Sequence, residues 1–297
     1  MLVRVLGSAA GGGVPQWNCG CEHCVAAAGD PALRRSGCAV AVSADGSAWT
    51  VLNAAAELPA QVAGFRALRP RIGTRETPFA QLVLTDAELD HTLGLLMLRQ
   101  APALTVAATP AMRSLLDGVL RLLGGYLAVT WRQIIAGIDF PLDPSCPAGL
   151  RARAIPVGSG KPPAYAGPDR VPADAAVGLR VSDPRGGSLL YAPCVPALTG
   201  ALLDACRASS LILLDGTFFS DDELVMSGKP RTARQLGHLP VGGPDGSLAM
   251  LEPATRAKVV YTHLNNTNPL LAGHSAASVQ VRRAGAAVAS DGTDYEL

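Results

Sequence analysis

Apolar residues fall into short runs separated by glycine, proline and polar clusters, and their spacing predicts alternating strands and helices. Leu2 to Leu6 reads as a strand that runs into Gly7-Ser8-Ala9-Ala10-Gly11-Gly12-Gly13, where glycine permits unusual dihedrals and close backbone approach. Cys38 to Ser43 and Trp49 to Asn53 flank Ala44-Asp45-Gly46, and an Asp-Gly turn between β-prone runs predicts a hairpin. Helical character follows at Pro59 to Leu68 and Leu93 to Gln100, with a short strand at Gln81 to Thr85 between them. Leu104 to Thr109 is a further strand. Pro110 suits a helix first turn, and Met112, Leu115, Leu116, Val119, Leu122 and Leu123 then repeat at helical spacing as core positions.

The second half repeats the mixture, with strands expected at Leu150 to Val157, Ala176 to Val181, Ser188 to Tyr191, Leu211 to Leu214 and Lys258 to Thr262. Helices are expected at Ala197 to Ala208 and Ser275 to Ala284, and long loops at Gly158 to Pro172 and Gly237 to Gly246. Strands and helices mixed in both halves predict an α/β layered sandwich, and no stretch reads as an interdomain linker. A single domain over residues 1–297 is the expectation.

Composition narrows the function classes. With 48% hydrophobic and 16% charged residues the chain can bury a large core. A formal net charge of +1 gives no global field for a polyanion, which argues against nucleic-acid binding. The most apolar stretch, Val195 to Leu214, is interrupted by Asp204 and Arg207, so no membrane span is expected. The N-terminus lacks a basic segment ahead of an apolar core, and of seven cysteines three crowd into six residues. That distribution fits metal binding in a reducing compartment better than a disulfide framework, and the cytoplasm is the expected location.

Three segments carry candidate chemistry. Cys19-Gly20-Cys21-Glu22-His23-Cys24 sets three thiols on one tight turn, and soft thiolates at this spacing favour tetrahedral zinc in a structural role; His23 or a distant side chain could be the fourth ligand. Thr85-Asp86-Ala87-Glu88-Leu89-Asp90-His91 follows a strand and precedes a helix, where three acids repel one another unless a cation or hydrogen bonds offset them. The same acids also suit a solvated helix N-terminus, and this segment alone does not choose. Tyr261-Thr262-His263 ends a strand in an imidazole. Asp215, at the end of another strand, and His238, in a Gly/Pro-rich loop, could form an acid–base pair.

Taken together the motifs resemble the metallo-β-lactamase superfamily, and within it the pyrroloquinoline quinone (PQQ) biosynthesis protein B family. The resemblance rests on Leu6 to Gly13 with Pro15-Gln16-Trp17-Asn18-Cys19, on Thr85 to Gly94, on Leu214-Asp215-Gly216-Thr217-Phe218-Phe219, on Gly237-His238-Leu239-Pro240 and on Thr262 to Pro269. It implies a four-layer αββα sandwich. The superfamily's His-x-His-x-Asp-His motif is altered here, because Asp86 and Glu88 stand where the two leading histidines would be, and Cys194 stands for the usual bridging aspartate. What remains is Asp90, His91 and, at the superfamily's last ligand position, His263, the two-histidine, one-carboxylate set of non-haem Fe(II) oxygenases.

The resemblance accordingly implies an iron-dependent hydroxylase in PQQ biosynthesis. Its expected partners are a tyrosine-derived precursor and molecular oxygen, and a second copy of the chain, as a homodimer, is a further candidate. Asp86, Glu88, Asp215 and His238 would position substrate or move protons. Relatives with a similar thiolate cluster supply a histidine three residues beyond the last active-site histidine; that position is Asn266 here, the implied fourth ligand of the structural zinc. Two other readings follow from the depleted motif: a carrier or transport protein for PQQ or its precursor, and an atypical zinc hydrolase using Asp86 or Glu88 as ligands.

Overall fold

The structure, a computed structural model, describes every residue except 144, 147, 148, 159, 160, 168, 227, 229, 252 and 253, so part of the loop expected over Gly158 to Pro172 lies outside the described residues. In chain order the strands are β1 (Leu2–Gly7), β2 (Ala39–Ser43), β3 (Trp49–Leu52), β4 (Gln81–Val83), β5 (Ala103–Ala108), β6 (Ala128–Gln133), β7 (Asp139–Pro141), β8 (Arg151–Pro156), β9 (Val177–Ser182), β10 (Ser188–Ala192), β11 (Leu211–Asp215), β12 (Lys258–Thr262), β13 (Ala287–Val288) and β14 (Asp294–Glu296). They form two seven-stranded mixed sheets, ordered β14-β1-β2-β3-β4-β5-β6 and β13-β12-β11-β10-β9-β8-β7.

The alternation of side chains along a strand decides how the sheets stack. In β10 to β12, Leu189, Leu211, Leu213 and Val260 join Val40, Leu52 and Leu82 of the first sheet in one buried cluster. Their neighbours Leu190, Ile212, Leu214 and Tyr261 pack instead with Leu202, Cys206 and Val281 of the outer helices. The second sheet is therefore apolar on both faces, as the continuous apolar runs of β10, β11 and β12 require of central strands in a layered α/β fold. The result is an αββα sandwich, the metallo-β-lactamase fold.

Local sequence accounts for most elements. The β2–β3 hairpin pairs Ser43 with Trp49, and its turn places Gly46 at φ 88, a left-handed value open to glycine. The Thr109 side chain caps helix Pro110–Leu115, and Thr199 caps helix Gly200–Arg207, each accepting a backbone N–H in the first turn. The leucine-rich stretch divides into two helices, Pro110–Leu115 and Asp117–Gly124, joined at Leu116. Near the site two expectations shift. Helical structure begins at Leu89 rather than Leu93, so Asp90 and His91 lie in a helical turn, and Cys24 lies in helix Glu22–Gly29.

Parallel pairing of β3-β4-β5 and of β10-β11-β12 sends their C-terminal ends to one edge of the sandwich. Thr85 to His91 leave β4 there, Cys194 follows β10, Asp215 ends β11 and His263 follows β12. Isolated bridges Asp86↔Ala176 and Ala9↔Leu264 tie the loops at this edge.

Candidate metal centre

The edge carries an open cleft of about 670 Å³ whose lining includes Asp86, Glu88, Asp90, Cys194, Thr217, His238 and His263. His91 lies buried beneath it, with its ring centroid 4.9 Å from that of His263.

Asp86 is 4% exposed and accepts from Thr85 Oγ1 and from the Glu88 backbone N–H, and its Oδ2 is 2.8 Å from His91 Nδ1. Burial opposes ionisation of Asp86, but the charge of His91 and these hydrogen bonds hold its carboxyl low. Asp86 is then a carboxylate, so His91 Nδ1 must carry a proton and donate it. Against the opposing effect of burial, Asp86 and Asp90 raise the His91 pKa well above its ordinary value, and its Nε2 is buried with no hydrogen-bond partner. Leaving a buried polar atom unsatisfied costs about 1–3 kcal/mol, so this orphan marks a missing partner.

A second proton count leads to the same place. Burial again opposes ionisation of Asp215, and the facing His238 together with hydrogen bonds outweighs it. Its Oδ1 accepts from Thr217 Oγ1 at 2.6 Å, and its Oδ2 from the Val195 N–H at 2.7 Å and from His238 Nδ1 at 2.8 Å. With its single proton given to Asp215, Thr217 can only accept from His263 Nδ1, 2.7 Å away. Burial depresses the His263 pKa and favours neutral imidazole, whose single proton cannot serve both Thr217 Oγ1 and Asp90 Oδ2, which lies 3.0 Å from Nε2. Two lone pairs in contact repel unless a cation lies beside them.

One ring nitrogen each of His91 and His263 and the sulfur of Cys194 lie within 4.8 Å of one another, and a second such group joins Asp215, His238 and His263. Imidazole nitrogens fixed through their other nitrogen by carboxylate or hydroxyl partners are the arrangement that orients histidine for a divalent metal. The donor set fits such an ion. His263 itself adopts φ 58, uncommon for a residue with a side chain, where the neighbouring Leu264 N–H is bonded to Ser8 O.

The other expected residues also gather here. Glu88 has its pKa raised by burial and by Asp86 and Asp90, and it sits at the rim. His238 stacks on His263 at 5.6 Å; burial lowers its pKa, but Asp215 prevails and raises it. Sequence reasoning set Cys194 at the position of the bridging aspartate and left Thr217 and Tyr165 without a role at this site. Cys194 stands in the tight group with the two imidazoles, where Asp90 reaches only His263. Thr217 joins Asp215 to both cleft histidines, and Tyr165 of the long loop donates to Ala87 O at 2.6 Å. The Asp-Gly-Thr following β11 was the available signal for Thr217; nothing local marks Tyr165.

The cysteine cluster lies beside this centre. The sulfurs of Cys19, Cys21 and Cys24 are within 4.8 Å of one another, and Asn266 Nδ2 is 3.0, 3.6 and 3.4 Å from them respectively. Asn266 is 5% exposed, and its side-chain amide, which a flip would turn Oδ1 first, faces all three sulfurs. His23 does not: its Nδ1 faces the Asn266 backbone oxygen at 3.1 Å. A backbone hydrogen bond from Cys21 lowers the Cys19 pKa, whereas burial raises that of Cys24. Asn266 lies three positions after His263, so one short segment reaches both clusters.

A family model for the β-lactamase superfamily domain matches residues 48–264, and the chain belongs to that superfamily. The chain is 38% identical over 309 residues to coenzyme PQQ synthesis protein B of Pseudomonas protegens and 39% identical over 308 residues to that of Pseudomonas aeruginosa, each match covering 100% of both chains. It superposes on Zn(2+)-bound PqqB from Methylobacterium extorquens with a TM-score of 0.90 at 33% identity, again over 100% of both chains. Within the superfamily it belongs to the coenzyme PQQ synthesis protein B family. A diphosphatase of the PhnP family, at 21% identity and a TM-score of 0.70, shares the fold. Among the described residues no helix is long and apolar enough to cross a membrane.

Proposed function

We propose that the chain acts in PQQ biosynthesis as a non-haem iron(II)-dependent hydroxylase of a tyrosine-derived precursor, with Asp90, His91 and His263 as the iron ligands. The observation that carries this reading is the buried, partnerless Nε2 of His91 beside the Nε2 of His263, which faces the Asp90 carboxylate at 3.0 Å. Two imidazoles and one carboxylate at the floor of an open cleft are the donor set of Fe(II) oxygenases. The names of the relatives support the biosynthetic assignment.

Iron bound there would supply activation of dioxygen for insertion into a phenolic ring. The protein's own groups do the rest. Asp86 holds His91 by its far nitrogen, and Thr217 holds His263, so neither ring needs to reorient when the ion enters. Asp215 fixes His238 through Nδ1, which leaves the other His238 nitrogen to take the phenol proton of a substrate in the cleft. Glu88, its carboxyl pushed up, can donate a hydrogen bond at the rim. Because Asp86 is turned to His91 rather than to an open position, a hydrolase centre that needs Asp86 as ligand is disfavoured.

The test is anaerobic loading with iron, a metal count, and mass analysis of a tyrosine-derived substrate after exposure to labelled dioxygen. The expected product carries label, and His263→Ala loses both turnover and active-site iron with an unchanged circular dichroism spectrum. Unlabelled product, or a variant with full activity and iron content, refutes the assignment.

A further inference from the structure

The floor of the cleft is built of acids and imidazoles, but the rest of its lining is of another kind. Pro163, Pro172, Pro196, Phe218 and Leu236 supply apolar wall, and two cations, Lys161 and Arg231, complete it. Lys161 is already committed: its Nζ donates to the Gln235 and Leu236 carbonyls at 3.4 Å each, and its charge tempers the burial-driven rise in the Glu88 pKa. Arg231 is exposed, and among the described residues it has no hydrogen bond or ion pair, whereas Arg4, Arg71, Arg153, Arg185 and Arg207 each face an acid. Arg231 and His238 flank helix Ala233–Leu236, whose four residues rise only about 6 Å, so one short helix separates a free guanidinium at the mouth from the imidazole that stacks on His263. The cleft volume of about 670 Å³ falls in the roughly 300–1,000 Å³ range of sites for drug-sized ligands, more than a lone phenol ring fills.

We propose that Arg231 is a specificity-determining residue that binds a carboxylate of the substrate at the mouth of the cleft, so that the phenol enters first and lies toward His238. The proposal rests on the reading of the cleft as a phenol site, and not on iron or on oxygen chemistry. A guanidinium presents its N–H donors in a planar fork that matches the two oxygens of a carboxylate, and it stays charged at any pH the enzyme meets. Apolar walls on either side keep solvent from screening the pair as fully as it screens one on an open surface. Lys161, held by two carbonyls, joins the long loop to the end of helix Ala233–Leu236 and so steadies the segment that carries Arg231.

Binding calorimetry on the full chain loaded with Zn(II) tests this without turnover. The probes are p-hydroxyphenylpropionate and its primary amide, which share the phenol and differ by one negative charge. The acid should bind roughly 10–100-fold more tightly than the amide, the worth of a charge-assisted pair. Arg231→Gln should erase that preference while leaving the affinity for the amide unchanged, which shows the cleft intact, and Arg231→Lys should restore part of it. Arg207→Gln removes the same charge from an outer helix, where Arg207 pairs with Asp204, and should keep the preference in full. Equal binding of the two probes by the unmodified protein overturns the proposal. So does a preference for the acid that survives Arg231→Gln, because the carboxylate is then held by the metal or by another cation. If neither probe binds the unmodified chain, the reading of the cleft as a phenol site falls, and this proposal with it.

Discussion

Glu223 gives a stability prediction independent of the catalytic reading. It is 8% exposed in helix Glu223–Met226, with Oε2 accepting from the Phe219 N–H at 2.8 Å and Oε1 from Thr267 Oγ1 at 2.6 Å. Burial raises its pKa from 4.5 to about 7, with a smaller contribution from Asp222 and partial relief from the two hydrogen bonds. The folded-state pKa is thus above the unfolded one, and as pH rises the unfolded chain releases this proton first. Stability therefore falls with rising pH between the two pKa values and levels off above the upper one. Integrating gives a penalty of about 1 kcal/mol at pH 5 and about 3 kcal/mol at pH 8. Glu223→Gln keeps a carbonyl acceptor and removes the charge. Denaturant melts of both proteins at pH 5, 6, 7 and 8 should show the variant gaining about 2 kcal/mol on the parent across that range. Curves that stay parallel, with a constant difference at all four values, would refute the argument that burial governs this carboxyl.

Two further outcomes test the metal sites. Asp86→Asn retains an acceptor for His91 Nδ1 but not its charge, and active-site metal affinity should fall by roughly 10–100-fold in a competition titration with a chelator; an unchanged affinity means that Asp86 does not tune His91. Cys24→Ser removes the most buried sulfur of the thiolate cluster, and the protein should lose one equivalent of tightly bound zinc and melt at a lower temperature. An unaltered metal count and melting temperature would exclude a structural metal there.

Much of the fold was legible because its strands are short apolar runs bounded by turn residues. The hairpin around Asp45-Gly46 and the central strands β10, β11 and β12 lie close to where periodicity predicts them. β6, β7, β13 and β14 were not foreseen. β13 has two residues, and β6 alternates only between exposed and half-buried positions, so neither has a strong apolar signal. Their strand character comes from pairing with a neighbour already in place.

At the site, the sequence by itself determined which residue types stand at the strand ends: Asp86, Glu88, Asp90 and His91 after β4, Asp215 ending β11, His263 after β12, and three cysteines on the loop after β1. It also set the departure from the superfamily's histidine motif, since that is a matter of identity alone. Only the tertiary structure divided these residues by role. Asp86 and Asp90 are four residues apart with the same side chain, yet one is bonded to the far nitrogen of His91 and the other to His263 across the cleft. Cys194, Thr217 and Asn266 acquire their meaning from partners 21 to 247 residues away. The reason is physical: a local pattern fixes backbone conformation and burial, whereas a lone pair's partner depends on distances that exist only once the two sheets have packed.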